Sequence, residues 1–148
     1  MKASRFIFTL LLASSVAVVQ LAAQQTKPDQ KPIEEVKAKA EAGDAKSQVE
    51  LGRRYDKGEG VMKDHAEAAK WYLKAAVQNY VDAQFNLGMC YEEADPGTED
   101  WAEVYEWLSL AARQGDEDAK KNITELESKL TPEQIADGKT RARDFVPR

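Results

Sequence analysis

From Gln48 onward, Gln48, Leu51, Gly52 and Tyr55 are spaced i, i+3, i+4 and i+7, which places them on one face of a helix. After the turn Lys57-Gly58-Glu59-Gly60-Val61, a second helical stripe runs through Ala68, Tyr72 and Ala75. The same pattern returns with a shift of 36 and no insertion: Gln84, Leu87, Gly88 and Tyr91, then Val104, Leu108 and Ala111. Trp71 falls on Trp107, and the pair Ala75-Ala76 on Ala111-Ala112. A fixed period of this length marks stacked units that each bury a face on the next. The spacing therefore predicts two helix–turn–helix repeats, about 43–78 and 79–114.

Shorter elements flank them. Ile33 to Glu41 predicts a helix with Ile33, Val36 and Ala40 on one face, a partial unit over 33–42 that covers the open edge. A second partial unit spans 115–145. Its first helix starts like the others but carries Thr124 at the glycine position and Glu127 at the tyrosine position, so it closes the stack. Thr131-Pro132-Glu133-Gln134 predicts a capped helix start. That last helix is expected to run to about Arg143, weakened near Gly138, with Phe145 to Arg148 fraying. Asp64 with Glu67, and Asp100 with Glu103, read as capping boxes for the second helices. The mid-helix Gly52 and Gly88 imply a helix crossing too close for a side chain, Val61 an apolar peg, and Trp71 and Trp107 rings partly buried between units.

The order GDA…Q..LG..Y..G.GV..D…A..WY..AA, met first over Gly43 to Ala76 and again one period later, resembles the Sel-one-like repeat, a relative of the tetratricopeptide repeat. The segment LTPEQIADG also resembles the tail that closes many exported proteins of that family. The resemblance implies an all-α fold, a short right-handed α-solenoid of helix–turn–helix repeats with about seven helices. It also implies a protein-interaction scaffold, not a reaction. The second repeat departs at Ala94-Asp95-Pro96-Gly97, where the G.GV turn is missing.

The start of the chain changes the picture of where it works. Lys2 and Arg5 precede an apolar run from Phe6 to Val19, and Leu21-Ala22-Ala23 offers small residues for cleavage. This is a secretory signal layout over 1–23, followed by a polar spacer at 24–32. The chain is expected to be exported, periplasmic or secreted after cleavage near Ala23, with an uncleaved anchor as the alternative. Removing Lys2 and Arg5 leaves nineteen basic against 26 acidic residues, a net charge of about −7. That balance argues against a nucleic-acid partner and against an anionic membrane surface after cleavage. Cys90 is the single cysteine, so no intramolecular disulfide forms and packing alone must stabilise the fold.

Catalytic patterns are missing. The one histidine, His65, follows the Asp64 cap, and HExxH, CxxC, GxSxG, SxxK and phosphate-loop motifs are absent. No cofactor and no metal are expected, and no residue is assigned a catalytic role. The acidic group Glu92, Glu93, Asp95, Glu99, Asp100 and Glu103 matches no calcium-loop spacing and reads as a solvated rim.

Binding is the stronger expectation. Beside the packed face of the first helices runs a stripe of Lys46, Val49, Arg53 and Asp56, with its counterpart Asp82, Phe85, Met89 and Glu92. Val49, Phe85 and Met89 would form an apolar floor, and Arg53, Asp56, Glu92 and Glu93 a charged rim, for a protein or peptide partner on the concave side. The competing expectation is that the helix starting at Asp116 covers Phe85 and Met89. Two other functions stay open: a hydrolase of cell-wall or β-lactam substrates, and a structural protein that self-associates.

Overall fold

The structure, a computed structural model, describes residues 31–92 and 100–148, with Glu92 described by its backbone alone. The expected signal segment 1–23, most of the spacer, Glu93 and the turn at Ala94-Asp95-Pro96-Gly97 lie outside the described residues. Seven helices follow in order among the described residues: α1 (Ile33–Glu41), α2 (Ala45–Lys57), α3 (His65–Ala76), α4 (Val81–Glu92), α5 (Trp101–Arg113), α6 (Glu117–Glu127) and α7 (Pro132–Asp144). Each helix from α1 to α5 packs on its successor, and α7 packs back on α5. The repeats are the pairs α2/α3 and α4/α5.

The turns that connect one repeat to the next follow the sequence period. Gly43, Asn79 and Gly115, each 36 residues from the last, all take a positive φ of 95°, 66° and 99°. A left-handed residue is what lets a chain leave one helix and reverse into another. Asn is the non-glycine residue that best tolerates this region, which is why it can stand in the middle turn. Asp44 and Asp116 then cap α2 and α6 by accepting from the Ser47 and Ala119 amides.

A ladder of buried amides with the same period holds the stack together. Gln48 Nε2 donates to the Ala40 carbonyl at 3.0 Å, and Gln84 Nε2 to the Ala76 carbonyl at 3.3 Å. Those carbonyls end the preceding helices and have no intrahelical partner. Each glutamine oxygen in turn accepts from a glutamine just past the end of its repeat's second helix: Gln78 to Gln48 at 2.9 Å, and Gln114 to Gln84 at 2.8 Å. One period after Gln84 stands Lys120, which is exposed and pairs with Glu117 instead. The ladder therefore ends at α6.

The glycine expectation holds. A Cβ on Gly52 would lie 2.7 Å from the Tyr72 ring, and one on Gly88 would lie 2.8 Å from Leu108 Cγ. Residues 72 and 108 are again one period apart. Gly88→Ala gains about 1 kcal/mol of helix propensity. It also forces the fully buried Leu108 to move, and such overpacking costs about 1–3 kcal/mol. The expected net result is destabilisation, read as a lower urea midpoint. A higher midpoint would show that α4 and α5 can separate freely.

Several expectations need correction. Gly138 does not weaken α7, which runs unbroken to Asp144. It is a docking point, because a Cβ there would lie 2.8 Å from both the Ala102 carbonyl and the Tyr105 side chain. The residues after Asp144, expected to fray, make contacts with the helices. Phe145 is half-buried with its ring edge-on to Trp107 at 5.6 Å, and the Arg148 amide donates to the Val77 carbonyl at 2.8 Å. Trp71 and Trp107 are buried, not partly so. Val61 is half-buried. Asp64 and Asp100 do cap α3 and α5, but their expected box partners are occupied differently. Glu67 accepts from Lys70, and Glu103 accepts from the Trp107 indole. Among the described residues, Thr131 and Gln134 form a reciprocal box.

Candidate protein-binding face

The residues proposed from sequence lie on α2 and α4. Val49 is half-buried and packs against the cluster of Ala68, Tyr72, Ala75, Ala83 and Leu87. Phe85 and Met89 are half-buried too, but against the cluster of Val104, Leu108, Ala119 and Leu126. The apolar floor is thus divided, since each stripe residue leans on the helix pair that follows it. The side-chain amide of Asn122, on α6, donates to Met89 Sδ at 3.0 Å, so α6 covers part of this stripe. Cys90, also half-buried, packs into the first cluster.

The charged residues are held by neighbours. Arg53 donates through Nη2 to Glu50 at 2.9 Å and through Nη1 to Glu59 at 2.6 Å. Burial opposes its charge, but these two carboxylates outweigh that and raise its pKa. Glu50 also takes Arg54 Nε at 2.8 Å. Burial again opposes its ionisation, and the bonds from Arg54 and Arg53 outweigh it, holding the Glu50 carboxyl below its ordinary value. Asp56 lies 2.8 Å from His65 Nδ1, a contact between the end of α2 and the start of α3. Arg53 and Asp56, grouped from sequence as one rim, therefore belong to separate pairs. Glu92 is described by its backbone only, and Glu93 lies outside the described residues.

Sequence reading missed Glu50, Glu59, Arg54 and His65 as the groups that fix this rim. Glu50 lies three and four residues before Arg53 and Arg54, the spacing at which helix neighbours pair, so that signal was present. Arg54 gave no such hint of its burial. It is 1% exposed, at the register where the second repeat has Cys90.

At the far end, Asp100 both caps α5 and pairs with Arg141 of α7 at 2.7 Å. The Arg141 bond is the main reason its carboxyl sits below the ordinary aspartate value. Tyr105 donates to Glu127 at 2.7 Å and so ties α5 to α6. Burial, with Glu103 beside it, pushes the Tyr91 hydroxyl up to about 12. Among the described residues no group of histidine, cysteine and carboxylate side chains is arranged to hold a metal, and no helix is long and apolar enough to cross a membrane.

Residues 45–80 and 81–116 match the family model described as Sel1 repeat. The two matched segments coincide with α2/α3 and α4/α5 and their following turns. This chain is a Sel1 repeat protein. Over 43 residues, 29% of the chain, it is 46% identical to the secretory immunoglobulin A-binding protein EsiB of Escherichia coli O6:H1, strain CFT073. That segment is 9% of the relative's length. Two solved structures share the fold. One is c5321, a protective antigen of uropathogenic Escherichia coli with an SLR fold, at TM-score 0.71 and 28% identity over 76% of this chain and 24% of that one. The other is a Sel1 repeat protein from Oxalobacter formigenes, at TM-score 0.57 and 37% identity over 62% of this chain and 37% of that one. The Sel1 repeat chain thus spans a minor part of each of these proteins.

Proposed function

We propose that this Sel1 repeat protein is a non-catalytic scaffold that binds a protein or peptide on the face formed by α2 and α4, in the cell envelope or outside it after export. The observation that carries this reading is the fixed geometry of that face. Arg53 is clamped between Glu50 and Glu59, and Asp56 is held by His65, beside the half-buried Val49, Phe85 and Met89. Side chains already ordered before contact lose little freedom on binding, so a modest surface can still hold a partner. The likeness to an immunoglobulin-binding relative supports a protein as the partner class.

Lys46 and Asp82 are exposed at the edge of the two stripes, so reversing their charges leaves the core intact. The test compares the chain from Gln24 with a Lys46→Glu, Asp82→Lys variant, each shown to fold by its melting curve. Both are offered secretory immunoglobulin A and the exported proteins of the source cell, with captured partners identified and titrated. The parent is expected to bind one partner at least 10-fold more tightly than the variant, a difference of about 1.4 kcal/mol. Equal binding by both would place the contact on another face.

A further inference from the structure

Helix α7 docks along one line of α5. Ala102, Glu106 and Arg113 stand at i, i+4 and i+11, which is a single helix face. Both ends of that line touch α7. Gly138 sits against the Ala102 carbonyl and the Tyr105 side chain, and Arg113 Nη1 donates to the Ala142 carbonyl at 2.7 Å. Glu106 lies between these contacts and is half-buried. Among the described residues it has no hydrogen-bond or ion-pair partner.

The cations within reach are committed elsewhere. Arg141 of α7 donates through Nη1 to Asp100 and through Nη2 to Asp137, each at 2.7 Å. Lys139 turns to Glu127 of α6 at 3.5 Å. Glu106 is therefore faced by Asp100 and Glu103 from its own helix, and by Asp137 and the shared Arg141 from α7. Tyr91 of α4 stands beside Glu103, with its hydroxyl pushed up to about 12, so it adds no charge at lower pH. A carboxylate drawn from water beside like charges favours its protonated form. Burial first, and Glu103 next, hold the Glu106 carboxyl above its ordinary value of 4.5.

We propose that the α5/α7 seam is a proton-operated latch. A proton on Glu106 tightens the closing helix onto the second repeat, and its loss as the medium turns neutral loosens that helix. The folded chain holds this proton more firmly than the unfolded chain. The contribution of Glu106 is thus complete below the ordinary 4.5 and is lost as pH rises through the higher folded value. Asp100 runs the other way. Its carboxyl, held low chiefly by Arg141, contributes above 3.8 and is lost as pH falls through its folded value. The latch is tightest in mild acid, where Glu106 is neutral and Arg141 still bridges two carboxylates.

The experiment compares the chain from Gln24 with Glu106→Gln, a neutral mimic of the protonated acid, and with Asp137→Asn. The first readout is amide hydrogen exchange of α7, corrected for the intrinsic effect of pH, since exchange reports local opening. At about pH 8 the α7 amides of Glu106→Gln are expected to be better protected than those of the parent. The gap is expected to close as pH falls to 4.5, while α2 amides show no gap. The second readout is the Glu106 carboxyl signal followed by NMR through a pH titration. Its midpoint in the parent is expected above 4.5. Asp137→Asn is expected to lower that midpoint, because it removes one facing carboxylate and frees Arg141. Equal α7 protection in parent and Glu106→Gln at every pH would overturn the proposal. So would a Glu106 midpoint at or below 4.5, or one that Asp137→Asn leaves in place. Should Glu106→Gln fail to fold, the two midpoints decide.

Discussion

Trp107→Ala is expected to lower the unfolding free energy by about 3–5 kcal/mol, the range for removing a buried large aromatic. For a domain of this size that is a fall in melting temperature on the order of 15 °C. The reason is position more than ring size. Trp107 is 5% exposed and belongs to a cluster that joins α3, through Tyr72 and Ala75, to α4, through Leu87, and to α7, through Ala142. Truncating it opens a cavity between both repeats and the closing helix at once, where no single element can collapse to fill it. It also removes the ring on which Phe145 rests and the donor that Glu103 accepts. Trp71 supplies the control. Its indole nitrogen is buried without a hydrogen-bond partner, so Trp71→Phe removes an unsatisfied donor that costs about 1–3 kcal/mol. That substitution is expected to be nearly neutral, while Trp107→Ala unfolds early. A cost below about 1 kcal/mol for Trp107→Ala would mean that the repeats and the C-terminal helix do not share one cooperative core.

Glu50→Ala is expected to cost about 3–5 kcal/mol, toward the low end of that range, because it strips the carboxylate from a buried guanidinium. Arg54 is 1% exposed, and its Nε lies 2.8 Å from Glu50. Glu50 itself is 33% exposed, so water replaces part of what is lost. Arg53 would also lose one of its two carboxylates. The diagnostic experiment is a double-mutant cycle with Arg54→Met, which removes the buried charge at similar volume. Arg54→Met alone is expected to be mild, and the double variant to be more stable than Glu50→Ala, with a coupling of about 1–3 kcal/mol. Additive costs would show that Arg54 has another counter-charge. The sign with pH follows from the depressed Glu50 carboxyl. Its contribution is complete above the ordinary value of 4.5 and is lost as pH falls through the lower folded value.

Much of this fold could be read from the chain because its period carries the contacts with it. Gly52 and Gly88 met Tyr72 and Leu108, and the alanine stripes on α3 and α5 went inside, as their spacing required. The left-handed turns at Gly43, Asn79 and Gly115 and the glutamine ladder obeyed the same period but were not recognised from sequence. A polar residue repeated on an apolar face is a sign of a shared buried hydrogen bond, and Gln48 with Gln84 was that sign. The family assignment followed from the same repeats.

The candidate site was less legible. Charges on one stripe were grouped by spacing, yet their partners lay elsewhere: Glu59 in the turn for Arg53, and His65 of the next helix for Asp56. Residues 145–148 were misread because a four-residue segment after a helix has no local reason to be ordered. What orders it is the edge of Trp107 and a carbonyl at the end of α3, both brought within reach by the packing of α7 on α5.

The sequence by itself determined the helices, their pairing, the caps at Asp64, Asp100 and Thr131, and the close crossings at glycine, since each depends on residues within one period. Only the tertiary structure decided the burial of Arg54, the sharing of Phe85 and Met89 with the α5/α6 cluster, and the docking of Gly138 and Phe145. Those depend on which surface the closing helices choose, and that choice is set by shape and leftover hydrogen-bonding groups across elements distant in the chain.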